Sequence, residues 1–155
     1  MEGLRAKGIF RLQIKEDGKV VGDSGWKENI VVNLGFNEYL VKTLGKISGS
    51  SQVGYMALGT GTEPGAGEYG PQINGEVSSR TAVTGYTSSL SKTCRFLCTF
   101  DSSGSFVGAT VTLKNIGLAA SANSAAGTIF CGNTYATSTC ATNQNVNCTY
   151  DIIFS

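Results

Sequence analysis

The sequence predicts a mainly β protein, an antiparallel β-sandwich of the jelly-roll kind with one short helix near residues 35–45. A single domain is expected over residues 1–155, a length that folds without covalent cross-links. Glycine is abundant, at 21 residues, and charged residues are sparse, at 15%. Glycine supplies the backbone conformations that tight turns need. Short apolar segments recur between turn signals, which is typical of sandwiches and jelly rolls.

The N-terminal part predicts a hairpin followed by a third strand. Apolar and polar residues alternate from Ile9 to Glu16, which is the period of a half-buried strand. Asp17-Gly18 is a strong signal for a two-residue hairpin turn, after which Lys19–Val21 begins the return strand. Trp26–Asn33 predicts the next strand, and Trp26 is expected near the start of an edge strand.

One segment, Phe36–Gly45, has the period of a helix instead of a strand. Its apolar residues fall at helical spacing, and Gly45 is placed where helices commonly stop. The stripe that should face the core consists of Phe36, Leu40, Val41 and Leu44.

The remainder of the chain predicts strands, turns and one long loop. Val53–Gly59 predicts a strand, and the glycine-rich loop Thr60–Gly75 that follows contains both prolines. Loops of this length in compact domains are usually functional or mobile. The later predicted strands are Val77–Leu90, Thr93–Phe100, Phe106–Ala119, Gly127–Tyr135 and Val146–Ser155, with a turn at Asp101–Gly104.

The residue types argue against an enzyme. Histidine, the commonest general base and metal ligand, is absent. Gly22–Gly25 reads GDSG, as in trypsin-like proteases, but without histidine it is better interpreted as a turn. Gly65–Gly70 matches G-x-G-x-x-G, yet Pro71 follows where a dinucleotide site needs a helix. We therefore expect no catalytic residues, no cofactor and no metal.

Charge and hydropathy exclude two classes of partner. The net charge is +1, and lysine and arginine form no basic stripe, so no nucleic acid partner is expected. No stretch approaches the length of an apolar membrane span, so no membrane partner is expected either. The charged N-terminal residues do not resemble a signal peptide, so synthesis and folding in a cytoplasm are expected.

Five cysteines are present, an odd number that argues against an obligatory disulfide framework. Cys94 and Cys98 lie four residues apart on a predicted strand, about 13 Å, which is too far to pair with each other. We expect the cysteines to be reduced and to act mainly as small buried apolar residues. Cross-links after release are conceivable among Cys131, Cys140 and Cys148.

A series of phrases runs along nearly the whole chain: the DGK turn, ENIVVNLGFNEYLVKTLG, YMALGTGTEPGAG, GEVSSR, NIGLA, GTIFCGNTY and YDIIFS. In this order they resemble short structural proteins of tailed-bacteriophage particles. The resemblance implies a virion protein assembled in the host cytoplasm, which either decorates and cements the capsid or belongs to a tail or fibre. It also implies contacts with the major capsid protein or other virion proteins, and favours a homotrimer.

Five residues are candidates for an interface. Glu76 and Arg80 would lie on the same side of an extended segment, where they could pair with each other or across a subunit boundary. An exposed pair would contribute under about 1 kcal/mol. Tyr69 and Ile73, with Ala66, are expected to be exposed apolar contact residues on the Thr60–Gly75 loop. Trp26 is the fifth candidate, and as the single tryptophan it is weak support for the remaining alternative, a carbohydrate- or receptor-binding sandwich.

Overall fold

The computed structural model describes residues 5–31, 33–62, 71–77, 80–89, 92–125 and 128–155. Two antiparallel sheets and one short helical segment make up the fold. The strands are β1 Ala6–Glu16, β2 Lys19–Asp23, β3 Lys27–Val31, β4 Tyr55–Gly59, β5 Thr81–Ala82, β6 Gly85–Ser89, β7 Thr93–Phe100, β8 Val111–Ala119, β9 Ile129–Cys140 and β10 Asn145–Phe154. The helical segment consists of α-helical turns at Asn33–Gly35 and Lys42–Leu44 on either side of a π-helix at Phe36–Val41, and a 3₁₀ turn spans Ser102–Gly104. The predicted antiparallel sandwich is confirmed.

The two sheets are continuous through one strand. The strand order is β5-β4-β8-β9-β3-β1-β10-β7-β6, and β2 pairs with β1 beside β3. One half of β3 pairs with β1, at Gly8↔Asn29, and the other half pairs with β9, at Ile30↔Gly132. A strand that changes sheets in this way makes a corner of the sandwich. β3 is therefore an internal strand, and the expectation that Trp26 begins an edge strand is wrong.

The first hairpin is as predicted. Asp17 and Gly18 both have positive φ, at 48° and 76°, as the two central residues of a type I′ turn must. The alternation along β1 places Phe10, Leu12 and Ile14 in the core, each no more than 3% exposed. The core lies between the sheets and is lined by the inward residues of the strands, among them Phe96, Phe100, Leu113, Ile116, Val146 and Tyr150.

The helical segment forms where it was predicted, but only half of the predicted stripe faces the core, namely Phe36 and Leu40, which are partly buried against it. Val41 and Leu44 are 54% and 83% exposed, whereas Tyr39, which was outside the stripe, is 4% exposed. The reason is the π-helix, whose i→i+5 hydrogen bonds change the angle between successive side chains. The Tyr39 hydroxyl donates to the carbonyl of Thr128, and burial raises its pKa to about 12.

The cysteines fill space in the core, as expected. All five are free thiols; Cys94 is half-buried and the other four are buried. Cys98 and Cys148 face each other on β7 and β10. Burial raises the pKa of Cys98 and of Cys131 to about 12 and that of Cys148 well above its ordinary value, so these thiols stay protonated and unreactive.

Candidate interaction surfaces

The Glu76–Arg80 pair is buried inside the chain instead of lying at its surface. The Arg80 side chain is 0% exposed and that of Glu76 is 7% exposed. Arg80 Nε donates to Glu76 Oε1 at 2.8 Å, and Nη2 donates to Oε2 at 3.1 Å. The two residues therefore pair with each other, and the interpretation as an exposed pair is wrong.

Arg80 also joins the last part of the long loop to the chain that follows β8. Its guanidinium donates to the carbonyl of Ser121 at 3.0 Å and to the carbonyl of Pro71. Glu76 Oε2 in turn accepts from the backbone N–H of Ile73 at 3.3 Å. The guanidinium nitrogens of Arg80 and the carboxylate oxygens of Glu76 all have hydrogen-bond partners in the same chain. We therefore interpret both residues as structural and not as contacts for a neighbour.

Ile73 likewise packs against its own chain. It is 2% exposed and lies on the outer face of the β4–β8–β9 sheet, in a small cluster with Ala57, Ala119 and Ile129. Gly117 makes the space, since a Cβ there would lie 2.7 Å from Ile73 Cγ2. The expectation that Ile73 is an exposed handle is wrong. Tyr69 and Ala66 lie outside the described residues.

The neck of the loop is closed by backbone hydrogen bonds. Thr60 N donates to Gly75 O at 3.0 Å, and Gly61 N donates to Asn74 O at 3.1 Å. Gly75 has a φ of 62°, and a Cβ on it would lie 2.8 Å from Gly61 N. The two ends of the Thr60–Gly75 loop are therefore bonded to each other, next to the bridge between Gly59 and Glu76, and removing the whole loop would disturb these contacts.

Trp26 lies on the outer face of the sheet that contains β1, β10 and β7, where its ring covers the guanidinium of Arg95. The Arg95 guanidinium carbon is 5.8 Å from the centre of the Trp26 ring, within the range of a cation–π contact. Arg95 Nε and Nη2 each donate to an Asp151 oxygen at 2.7 Å, which raises the pKa of Arg95. Trp26 is 46% exposed, and Leu97, two residues from Arg95 on the same face, is 40% exposed. We call Trp26, Arg95 and Leu97 the Trp26 patch.

The return strand of the first hairpin is the second exposed apolar surface. Val20 and Val21 of β2 are 49% and 55% exposed. In the part of the chain that the structure describes, β2 pairs with β1 alone. Its outer edge therefore has no strand paired to it among the described residues, although β2 lies close to β9, and it carries two exposed β-branched side chains.

A charged cluster fixes the end of this hairpin. Asp23 accepts from Arg11 Nε at 3.0 Å and from Gln13 Nε2 at 3.0 Å, and its hydrogen bonds with Arg11 hold the pKa of this carboxyl well below its usual range. Ser24 Oγ accepts from Leu12 N at 3.0 Å and donates to Gly25 O at 2.8 Å. The serine hydroxyl is thus occupied. Gly22 and Asp23 lie in β2, and the chain continues past Ser24 and Gly25 into β3 in the same direction along β1, so the interpretation of GDSG as a turn is wrong.

Sequence reasoning found Trp26 but missed Arg95, Asp151 and Leu97. The period-2 pattern of β7 could have placed Arg95 and Leu97 on an outward face. Their proximity to Trp26 depends on the pairing of β7, β10 and β1, for which the sequence contains no local signal.

Searches for metal sites, membrane spans and relatives add no further candidate. Among the described residues, no group of three or more cysteines and carboxylates is arranged to hold a metal ion, and no helix is long and apolar enough to cross a membrane. The chain matches no protein-family model, no curated protein and no solved structure.

Proposed function

We propose that this chain is a non-catalytic structural subunit that associates with copies of itself. In the setting suggested by its resemblance to phage virion proteins, it decorates and cements the capsid through contacts with the major capsid protein. The observation that carries the proposal is the exposed edge of β2 with Val20 and Val21.

An edge strand with free backbone groups is a template for pairing with another chain. Proteins that avoid such pairing place charges, proline or bulges on the edge. β2 carries one such device, a register shift in its pairing with β1 at Val21, but its charges lie only at its two ends and two exposed valines stand between them. Addition of this edge to a neighbouring sheet would satisfy the backbone and bury both side chains, which is the usual geometry of β-strand addition.

The Trp26 patch supplies a second contact of the kind found at the centre of protein interfaces. Tryptophan and arginine are the residue types most enriched among interface residues with large binding energies. Asp151 holds the Arg95 guanidinium in place, so little side-chain entropy is lost when a partner covers Arg95. Trp26 therefore remains a candidate contact, now together with Arg95 and Leu97.

We expect the full chain to form a closed homo-oligomer, a trimer by the resemblance, and the Val21→Lys variant to be monomeric. The lysine places a charge where two apolar strands would meet. Sedimentation equilibrium measures this as a fall in molar mass from a multiple of 16.2 kDa to a single chain. Val41→Lys is the matched control, because Val41 is 54% exposed and Val21 is 55% exposed. A parent chain that stays monomeric at all concentrations would contradict the proposal, and so would an equal fall in molar mass in both variants.

A tail or fibre protein that binds a host receptor or glycan is the second candidate. Trp26 favours it, since an exposed aromatic ring on a sheet face can stack on an apolar surface of a ligand. Both oxygens of the adjacent Asp151 are already bonded to Arg95, so this carboxylate has less capacity for sugar hydroxyls. The decoration role therefore remains first.

A further inference from the structure

The helical segment and the sheet form an apolar cavity of about 620 Å³ that is open to solvent. Its floor consists of Phe96 on β7, Ile152 and Phe154 on β10, and Phe130 on β9. Tyr39 and Leu40 form the wall on the helical side. Ligand pockets commonly have volumes of about 300–1,000 Å³ and predominantly apolar linings. The cavity is therefore large enough for one small molecule.

The cavity is held open by contacts that stay within the chain. The Tyr39 hydroxyl donates to the carbonyl of Thr128 and accepts from the Thr128 hydroxyl at 3.2 Å, while its ring lies 5.0 Å from that of Phe130. Ser51 N also donates to Glu38 O at 2.9 Å, which joins the helical segment to the residues leading into β4. The walls are thus anchored at both ends, and the helical segment does not collapse onto the floor.

The polar groups of the lining lie at one end. Thr43 and Gln52 are exposed and Ser51 is half-buried, so their hydroxyl and amide groups surround the mouth, whereas the deeper residues are apolar. The mouth is extended by Leu44, which is 83% exposed. A ligand with a hydrocarbon body and a single polar end would match this distribution.

The charges around the cavity decide the nature of that polar end. No aspartate, glutamate, lysine or arginine occurs among the described residues of the lining. The nearest cation along the helical segment, Lys42, is paired with Glu38 at 2.5 Å. Lys46 and Lys92 are joined by backbone hydrogen bonds to Thr43 and Phe154 of the lining, but neither lysine side chain lines the cavity. A carboxylate placed among the described lining residues would lose hydration without gaining a charged partner there, which is costly. A neutral hydroxyl or amide can bond to Thr43, Ser51 or Gln52.

We propose that this cavity is a binding site for one uncharged amphiphile, a molecule with an aliphatic body and a neutral hydroxyl or amide head. The site lies apart from the β2 edge and the Trp26 patch, so it is independent of the association proposed above. It would give the subunit a second kind of partner, a small neutral lipid-like molecule.

Calorimetric titration of the full chain with decanol and decanoate tests the proposal, because the two probes have the same number of carbon atoms but a neutral hydroxyl head in one and a charged carboxylate in the other. We expect one decanol molecule to bind per chain, and we expect the affinity for decanoate to be lower by about tenfold or more. Decanol should also slow the alkylation of Cys94, since this half-buried thiol lies on the floor. Absence of saturable decanol binding, or equal affinity for both probes, would overturn the proposal.

Two variants on the same helical segment localise the binding. Thr43→Trp places a large ring at the mouth from an exposed position and should weaken decanol binding about tenfold or more. Val41→Trp, at an exposed position outside the lining, should leave the affinity within about twofold of the parent. If Thr43→Trp lowers the molar mass of the assembly while decanol does not bind, a second copy covers this face and the proposal is wrong.

Discussion

The Arg80→Met variant should lose about 3–5 kcal/mol of its free energy of unfolding, the cost typical of breaking a buried ion pair by removing one partner. Methionine keeps much of the length and the apolar volume of arginine but carries no charge or donor. Among the described residues, Glu76 would then remain buried with the Ile73 N–H as its one donor, and the carbonyl of Ser121 would lose the guanidinium. Urea unfolding followed by circular dichroism measures the loss.

Two further variants show whether the loss of stability arises from the burial of the ion pair or only from the removal of a charge. Arg11→Met breaks the Arg11–Asp23 pair, whose side chains are 38% and 30% exposed, and should have a much smaller effect. The double variant Glu76→Gln/Arg80→Met removes both buried charges and should be more stable than Arg80→Met alone. If Arg80→Met is as mild as Arg11→Met, the pair does not fasten the loop as we describe.

A second large effect is expected from a single methyl group. The Gly35→Ala variant should lose about 3 kcal/mol, because the new Cβ would lie 2.1 Å from the carbonyl oxygen of Phe130. That oxygen belongs to β9, which is held between β8 and β3 and cannot retreat. The helical segment must move instead, and the Tyr39–Thr128 hydrogen bond and the cavity wall should be disturbed with it.

The backbone at Gly35 makes this result specific to packing. Its φ and ψ are −61° and −43°, which alanine adopts readily and with better helix propensity than glycine. Gly108→Ala is the control, since a Cβ there meets nothing within 4 Å, and it should change stability by less than about 0.5 kcal/mol. Thermal unfolding of both variants provides the comparison, and equal stabilities would contradict the close contact.

Local patterns were sufficient for most strands and for the first turn. The alternation in β1 and the Asp17-Gly18 dipeptide are local signals, and the structure confirms both. The predicted strand Val77–Leu90 is instead divided into β5 and β6, and β8 begins at Val111 and not at Phe106. The predicted helix has the right position, but only Phe36 and Leu40 of its predicted stripe pack against the core. A π-helix inside the segment depends on how Gly35 and Tyr39 pack against the β9 region, a contact between residues about ninety positions apart.

The candidate interface was less predictable, for reasons of distance along the chain. The four-residue spacing of Glu76 and Arg80 indicated that they could pair. Their burial depends on Ser121, and that of Ile73 depends on the slot above Gly117, neither of which the loop sequence reveals. Sequence reasoning assigned these residues to a partner because glycine-rich loops are commonly exposed, whereas this one returns to its own sheet at both ends.

The most direct test of the proposed function is the copy number of this chain in purified particles made by the genome that encodes it. Quantitative mass spectrometry of separated heads and tails would compare it with the major capsid protein. The decoration role predicts many copies per head, in a fixed ratio to the capsid subunit. A handful of copies confined to tails would favour the tail or fibre role, and absence from the particles would contradict the virion proposal altogether.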